Sequence, residues 1–166
     1  PNMPAHHISL LFQCQGYSST VATACAAGTQ AIGEGTEAIR RGAADLVLAG
    51  GAEALLNEVA FAGFIAMRAL AADNDAPEKA CKPFDARHDG FVMSEGSAVL
   101  ILESLEHALD RGARIYAEVI GYAACTDAFH VAQPDPEGLG AARTIRWAIE
   151  NAGIDPEEID CINSHG

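Results

Sequence analysis

Segments of helical period alternate with short apolar, strand-like runs along this chain, and that alternation predicts the α/β class. Two further observations support it. Leu46-Val47-Leu48 lies at the centre of a short apolar run, Ala44–Ala49, of the kind that forms strands buried on both faces in parallel or mixed sheets. Glycine follows the end of the helical segments at Gly42, Gly112 and Gly153, where a left-handed residue closes a helix.

Taken in order, residues 1–16 carry the apolar run Ile8, Leu10, Leu11 and Phe12 and fit a helix or a connecting segment. Tyr17–Ala24 reads as a strand. From Ala26 to about Arg41, alanines with Ile32 and Ile39 make an apolar stripe at helical spacing. After the strand at Ala44–Ala49, Gly50-Gly51 predicts a tight turn. Ala52–Leu70 is rich in alanine and large apolar residues and fits helical pieces, and Ala71–Asp89, with its prolines and charges, fits a loop. Phe91-Val-Met and Ala98–Leu102 read as buried strand, followed by a helix from about Leu105 to Asp110. Ile115–Ala124 is another strand candidate. Gly138–Ala152 has the pattern of an amphipathic helix, Asp155-Pro-Glu-Glu is a helix-start signal, and Ile159–Ile162 reads as a last strand.

The 166 residues suffice for one domain with a sizeable core, and 49% hydrophobic with 20% charged residues is ordinary globular composition. A formal charge of -13 argues against nucleic-acid binding, which draws most of its affinity from a basic face. No apolar run approaches the roughly 20 residues needed to cross a bilayer. Five cysteines at irregular spacing contain no CxxC pair, so reduced thiols and a cytoplasmic protein are the simplest expectation. Asp85, His88 and Asp89 match no standard metal spacing, and Gly138-Leu-Gly140 lacks the third glycine of a dinucleotide fingerprint. Neither a metal nor a nucleotide cofactor is therefore expected.

Cys25 stands where an extended segment is expected to turn into a helix, in Val21-Ala-Thr-Ala-Cys25-Ala-Ala-Gly28. A thiol at a helix start faces unpaired N–H groups and the positive end of the helix dipole, both of which favour thiolate. Residue type alone favours the plainer alternative of a small cysteine packed in the interior.

Five ordered motifs weigh against that alternative. Thr23-Ala-Cys25, Ala49-Gly-Gly-Ala-Glu53, Lys82-Pro-Phe-Asp85 with Asp89-Gly-Phe-Val92, and Ile162-Asn-Ser-His165-Gly occur in one order and spacing along the chain. In them the chain resembles a β-ketoacyl-[acyl-carrier-protein] synthase, most closely the elongating enzymes of type II fatty-acid synthesis. The resemblance implies a partial thiolase-like layered fold (α/β/α/β/α). Residues 1–166 would form an internal part of a ketosynthase domain, the end of its N-terminal half and the start of its C-terminal half, inactive alone. It further implies a cytoplasmic homodimer that joins through the segment before Cys25, with acyl carrier protein as partner and no cofactor beyond the phosphopantetheine that the carrier bears.

The same resemblance assigns roles. Cys25 would take the acyl chain, its N–H contributing to an oxyanion hole, and His165 would hydrogen-bond the malonyl thioester oxygen. His130, in Asp127-Ala-Phe-His130, would line the pantetheine tunnel or support it, Phe64 the acyl pocket, and Arg68 the carrier-docking surface. Arg40-Arg41 is the other basic candidate for that surface. Ala132 departs from the family's usual threonine, and His88, Ser94 and Ser164 stand where arginine, glycine and alanine are usual. A polyketide ketosynthase and a non-catalytic folding or dimerisation piece are the alternative readings.

Overall fold

A computed structural model describes residues 2–165. Two compact units divide the chain, one of residues 2–51 with Val99–Ile162 and the other of Ala52–Ala98 with residues 163–165.

The first unit begins with helix α1, Met3–Phe12, and continues through an extended stretch into a one-turn 3-10 helix, Ala24–Ala26, and then α2, Ala27–Arg40. The end of α2 is set as the sequence predicts. Gly42 takes a φ of 70°, and the Gly42 and Ala43 N–H groups donate back to Ile39 and Ala38. Strand β1, Leu46–Glu53, pairs with β2, Gly96–Glu103. The Asp45 carbonyl accepts from Ser104 N–H at 2.9 Å, so the start of β1 meets the end of β2 and the pair runs antiparallel. Helix α4, Leu105–Asp110, follows with Ser104 accepting from the His107 N–H at its start and Gly112 in the left-handed region at its end. Helix α5, Leu139–Ala152, closes on Gly153 with φ 68°. Asp155-Pro-Glu-Glu forms one 3-10 turn, Pro156–Glu158, in which the Glu158 carboxylate accepts from the Asp155 N–H at 2.8 Å.

Helix α2 packs through small residues. Gly33, Gly35, Thr36 and Ala38 are its buried positions, and Thr36 satisfies its hydroxyl on the Ile32 carbonyl at 2.9 Å. A Cβ at Gly35 would press on Val47, Ala49 and Leu102 at 3.0–3.2 Å, so the missing side chain lets α2 lie directly on β1 and β2. At Gly33 a Cβ would overlap the Tyr122 ring. Gly33→Ala is therefore expected to destabilise the whole protein by about 1–3 kcal/mol, the cost of overpacking, although alanine is the better helix former by about 1 kcal/mol. An unfolding midpoint equal to or above the parent's would show that the ring yields freely.

Arg40, at the end of α2, ties distant parts of this unit together. Its guanidinium donates to Asn151 Oδ1 at 2.9 Å and to the Ile120 carbonyl at 2.6 Å, besides pairing with Glu37 at 2.8 Å. Asn151 Oδ1 also accepts from the Tyr122 N–H at 3.0 Å. Near β2, the Glu103 carboxylate pairs with Arg111 and accepts from His107 Nδ1 at 2.7 Å, and these partners, Arg111 foremost, hold its pKa down to about 2.

The second unit contains α3, Glu58–Ala66, which starts on Asn57 accepting from the Ala60 N–H at 3.0 Å. Its chain then crosses itself. Leu70 bridges Phe91 in parallel, with Phe91 N–H donating to Ala69 and Ala71 N–H to Phe91. Gly90, at φ 149°, has the Leu70 backbone where a Cβ would be.

Several expectations are corrected. Tyr17–Ala24, Ile115–Ala124 and Ile159–Ile162 are not strands. Their composition suits strands, but a strand exists only through a hydrogen-bonded neighbour, and among the described residues β1 and β2 form the only ladder. Gly50-Gly51 is no turn; both lie inside β1. Neither strand is buried on both faces, since Val99, Leu100 and Ile101 are 47–60% exposed. The sizeable core is also absent among the described residues: the buried apolar residues are Ala38, Ala49, Ala80 and Ala108.

Candidate functional site

Cys25 sits in the middle of the 3-10 turn that leads into α2, and it is exposed. Ala24, immediately before it, has φ 50°, a left-handed conformation that costs a residue bearing a Cβ of order 1 kcal/mol or more. The turn is closed by the Ala26 N–H on the Thr23 carbonyl at 3.2 Å, and Thr23 Oγ1 donates to Gln30 Oε1 at 2.9 Å. These bonds fix both flanks of the cysteine to the first turns of α2. The plainer alternative of a small cysteine packed in the interior is not what the structure has.

Gly51, in Ala49-Gly-Gly-Ala-Glu53, lies beside the helix start. A Cβ there would stand 3.6 Å from Gly28 Cα, so β1 passes backbone to backbone beside the helix start that carries Cys25. Gly51 thus marks close approach of two backbones rather than a turn.

The other thiols differ in setting rather than in exposure. Cys14, Cys81 and Cys161 are exposed too, while Cys125 is half-buried between Thr144 Oγ1 at 2.9 Å and the Gly140 carbonyl at 3.4 Å. Accessibility by itself therefore does not single out Cys25. Cys14 also follows a left-handed residue, Gln13 at φ 54°, so what distinguishes Cys25 is its place in the turn that opens a helix.

His130 belongs to the same unit as Cys25. It is exposed, and its Nδ1 faces the backbone N–H groups of Ala132 at 3.1 Å and Gln133 at 3.2 Å. Asp127, three residues earlier, accepts from the Asp135 N–H at 2.7 Å, and its carboxylate occupies the space a Cβ on Gly140 would need.

Phe64, Arg68 and His165 belong to the second unit. Phe64 is half-buried on α3 and meets Phe91 edge to face, with centroids 5.2 Å apart. Arg68 is exposed with φ 54°, in the turn that leads from α3 to the Leu70–Phe91 crossing. The structure thus brings Phe64 and Arg68 together with the Asp89-Gly-Phe motif. His165 is exposed in a run without regular structure.

In the same unit, Asp85 accepts from the Arg87 backbone at 2.8 Å and pairs with its guanidinium, which holds the Asp85 carboxyl well below the usual carboxylate range. Lys82 pairs with Asp89 at 3.0 Å and lowers its pKa in turn. Both carboxylates are committed to neighbouring cations. Among the described residues no group of three or more metal-ligating side chains gathers, and no helix is long and apolar enough to cross a membrane. Arg40 is not a free cation for docking, because its guanidinium is engaged by Glu37, Asn151 and Ile120; Arg41 instead lies 5.8 Å from the centroid of the Tyr17 ring.

Comparison with known proteins matches residues 1–108 to the N-terminal domain of beta-ketoacyl synthases and residues 116–166 to their C-terminal domain. The chain is 45% identical over all of its 166 residues to a 3-oxoacyl-[acyl-carrier-protein] synthase 2 of Staphylococcus aureus, of which it covers 41%. A protein of the same name from Synechocystis sp. is 46% identical over 165 residues, 40% of its length. Among solved structures, a beta-ketoacyl synthase from Burkholderia phymatum superposes on the whole chain with a TM-score of 0.93 at 41% identity, over 40% of that protein. A ketosynthase of a type II polyketide synthase, solved with its acyl-carrier protein and bound to the hexaketide, gives 0.91 at 39% identity over 94% of this chain and 38% of that one. The fold is accordingly thiolase-like, and the chain spans about 40% of the length of the curated relatives it matches.

Proposed function

The chain belongs to the β-ketoacyl synthase family, and we propose that the whole protein is an acyltransferase of fatty-acid synthesis with Cys25 as its nucleophile. Residues 1–166 are then part of a ketosynthase domain, the end of its N-terminal half and the start of its C-terminal half, and have no turnover alone. The observation that carries the reading is Cys25 exposed on a turn strained at Ala24, at the entrance to α2, with β1 held against that entrance through Gly51 and Gly28.

The Cys25 thiolate attacks the carbonyl of an acyl thioester carried on acyl carrier protein. A sulfur–carbon bond forms to Cys25, the acyl–sulfur bond to the carrier breaks, and the pantetheine sulfur leaves as thiolate and takes up a proton from water. Malonyl-carrier then binds and loses carbon dioxide, and the enolate carbon attacks the acyl carbonyl. A carbon–carbon bond forms, Cys25 leaves as thiolate, and β-ketoacyl-carrier is released. Oxyanion charge develops on the acyl carbonyl in both attacks, where the Cys25 N–H donates, and on the malonyl thioester oxygen during decarboxylation, where His165 donates. Phe64 lines the acyl pocket, Arg68 meets the acidic carrier, and His130 lies along the pantetheine arm. No resident cofactor or metal enters the cycle.

The protein acts in the cytoplasm as a homodimer, neither membrane-bound nor nucleic-acid-bound. The largely exposed Tyr17–Ala24 segment, without regular structure up to the Ala24 turn and with no strand neighbour among the described residues, supports pairing with a second copy there. Polyketide assembly is the second reading, favoured by the 0.91 TM-score to a polyketide ketosynthase. Incubating the whole protein with acyl-carrier and malonyl-carrier separates the two. The expected product is a β-ketoacyl-carrier extended by one two-carbon unit and released. Repeated extension to a poly-β-ketone would favour the second reading, and no carbon dioxide release with no product would refute both.

A further inference from the structure

The loop from Asp127 to Asp135 is fastened by its own side chains. Asp127 Oδ2 accepts from the Asp135 N–H at 2.7 Å, and Ala128 turns the chain back with φ 56°. Inside that span, His130 Nδ1 lies within hydrogen-bond distance of two backbone N–H groups, those of Ala132 at 3.1 Å and Gln133 at 3.2 Å. Both partners are donors, so Nδ1 must offer a lone pair. In this geometry Nδ1 accepts, and Nε2 is the ring nitrogen left to donate. Residue 134 is proline and brings no N–H, so Nδ1 takes up the last two backbone donors before it.

We infer that His130 is a positioning residue whose unprotonated Nδ1 holds the Ala132–Gln133 turn and so fixes the outward display of Phe129 and Val131. Those two side chains, the sequence neighbours of His130, are 54% and 96% exposed. A ring that spends Nδ1 on its own backbone keeps only a fixed Nε2–H donor for anything that approaches the loop. It is thus built to orient an acceptor-bearing arm, not to shuttle protons. That last step rests on the proposed function, in which the approaching group is the amide- and thioester-bearing arm of the carrier; the clasp itself does not depend on it.

Asparagine and glutamine variants separate the two ring nitrogens. In His130→Asn, Oδ1 offers an acceptor close to the place of Nδ1, whereas His130→Gln carries its amide out toward the place of Nε2. Backbone hydrogen exchange at Ala132 and Gln133 in the whole protein is expected to be alike in the parent and His130→Asn, and roughly tenfold faster in His130→Gln and His130→Ala, the loss of two hydrogen bonds of ordinary net strength. Nitrogen-15 shifts of labelled histidine should show His130 unprotonated at Nδ1 and protonated at Nε2. In condensation assays, KM for the acyl-carrier should rise more than kcat falls in His130→Gln and His130→Ala, and His130→Asn, which keeps the clasp but loses the Nε2–H donor, should recover only part of that rise. Unchanged exchange in His130→Gln and His130→Ala, or a proton on Nδ1, would overturn the inference. So would a kcat as low in His130→Asn as in His130→Ala, which marks proton transfer by the ring. The exchange and nitrogen readings need no substrate, so a protein without synthase activity but with this protection pattern would refute the proposed function and leave the clasp standing.

Discussion

Replacing Cys25 by alanine should abolish acyl-enzyme formation in the whole protein and lower condensation by roughly three orders of magnitude or more, the scale on which nucleophile deletions fall. The turn at Ala24–Ala26 is closed through backbone atoms of Thr23, Ala24, Ala26 and Ala27, so alanine leaves its geometry intact. The loss is then chemical. Binding of the carrier and the unfolding midpoint should stay near those of the parent. The same variant should retain slow decarboxylation of malonyl-carrier, because that step needs the enolate stabilised rather than a thiol. Undiminished acylation in Cys25→Ala would transfer the nucleophile to another of the exposed cysteines, Cys14, Cys81 or Cys161.

His165→Ala has the second-largest expected effect, and it divides the reaction in time. A donor that meets oxyanion charge on the malonyl thioester acts only after Cys25 is acylated, and removing one such donor costs about a hundred- to a thousandfold. Decarboxylation and condensation should fall by that factor, while the burst of acyl transfer to Cys25 should change by severalfold at most. Rapid-quench measurement of acyl-enzyme alongside carbon dioxide release separates the two. Equal loss in both half-reactions would make His165 an activator of the thiol or a residue needed for folding.

How much of this could be read from the residues divides by range. Helices α2, α4 and α5 were legible because their signals are local: an apolar stripe at helical spacing, and a glycine at 42, 112 or 153 whose left-handed backbone ends the helix. The strands expected at Tyr17–Ala24, Ile115–Ala124 and Ile159–Ile162 were not, because pairing depends on a partner that composition does not name. Gly50-Gly51 shows the same limit in one dipeptide. Its second glycine, Gly51, lies beside Gly28, more than twenty residues earlier in the chain, and nothing in the flanking sequence distinguishes that approach from a turn. Arg40 looked like half of a basic patch, and the partners that consume it lie 80 and 111 residues away. Within the candidate site, the cysteine before a helix was legible, and so was the family from its ordered motifs. The left-handed Ala24 was hidden, since alanine carries no signal for positive φ. The His130 clasp was hidden for a different reason: an imidazole that accepts from the backbone two and three residues ahead looks, in sequence, like any other histidine in a loop.

Peptide mapping by mass spectrometry of the whole protein after brief incubation with acyl-carrier, malonyl-carrier being withheld, tests the central claim most directly. One acyl group per chain, attached through a thioester to the peptide that contains Cys25 and discharged when malonyl-carrier is added, is the expected result. An acyl group on Cys14, Cys81, Cys125 or Cys161, or one on Cys25 that malonyl-carrier does not discharge, would contradict it.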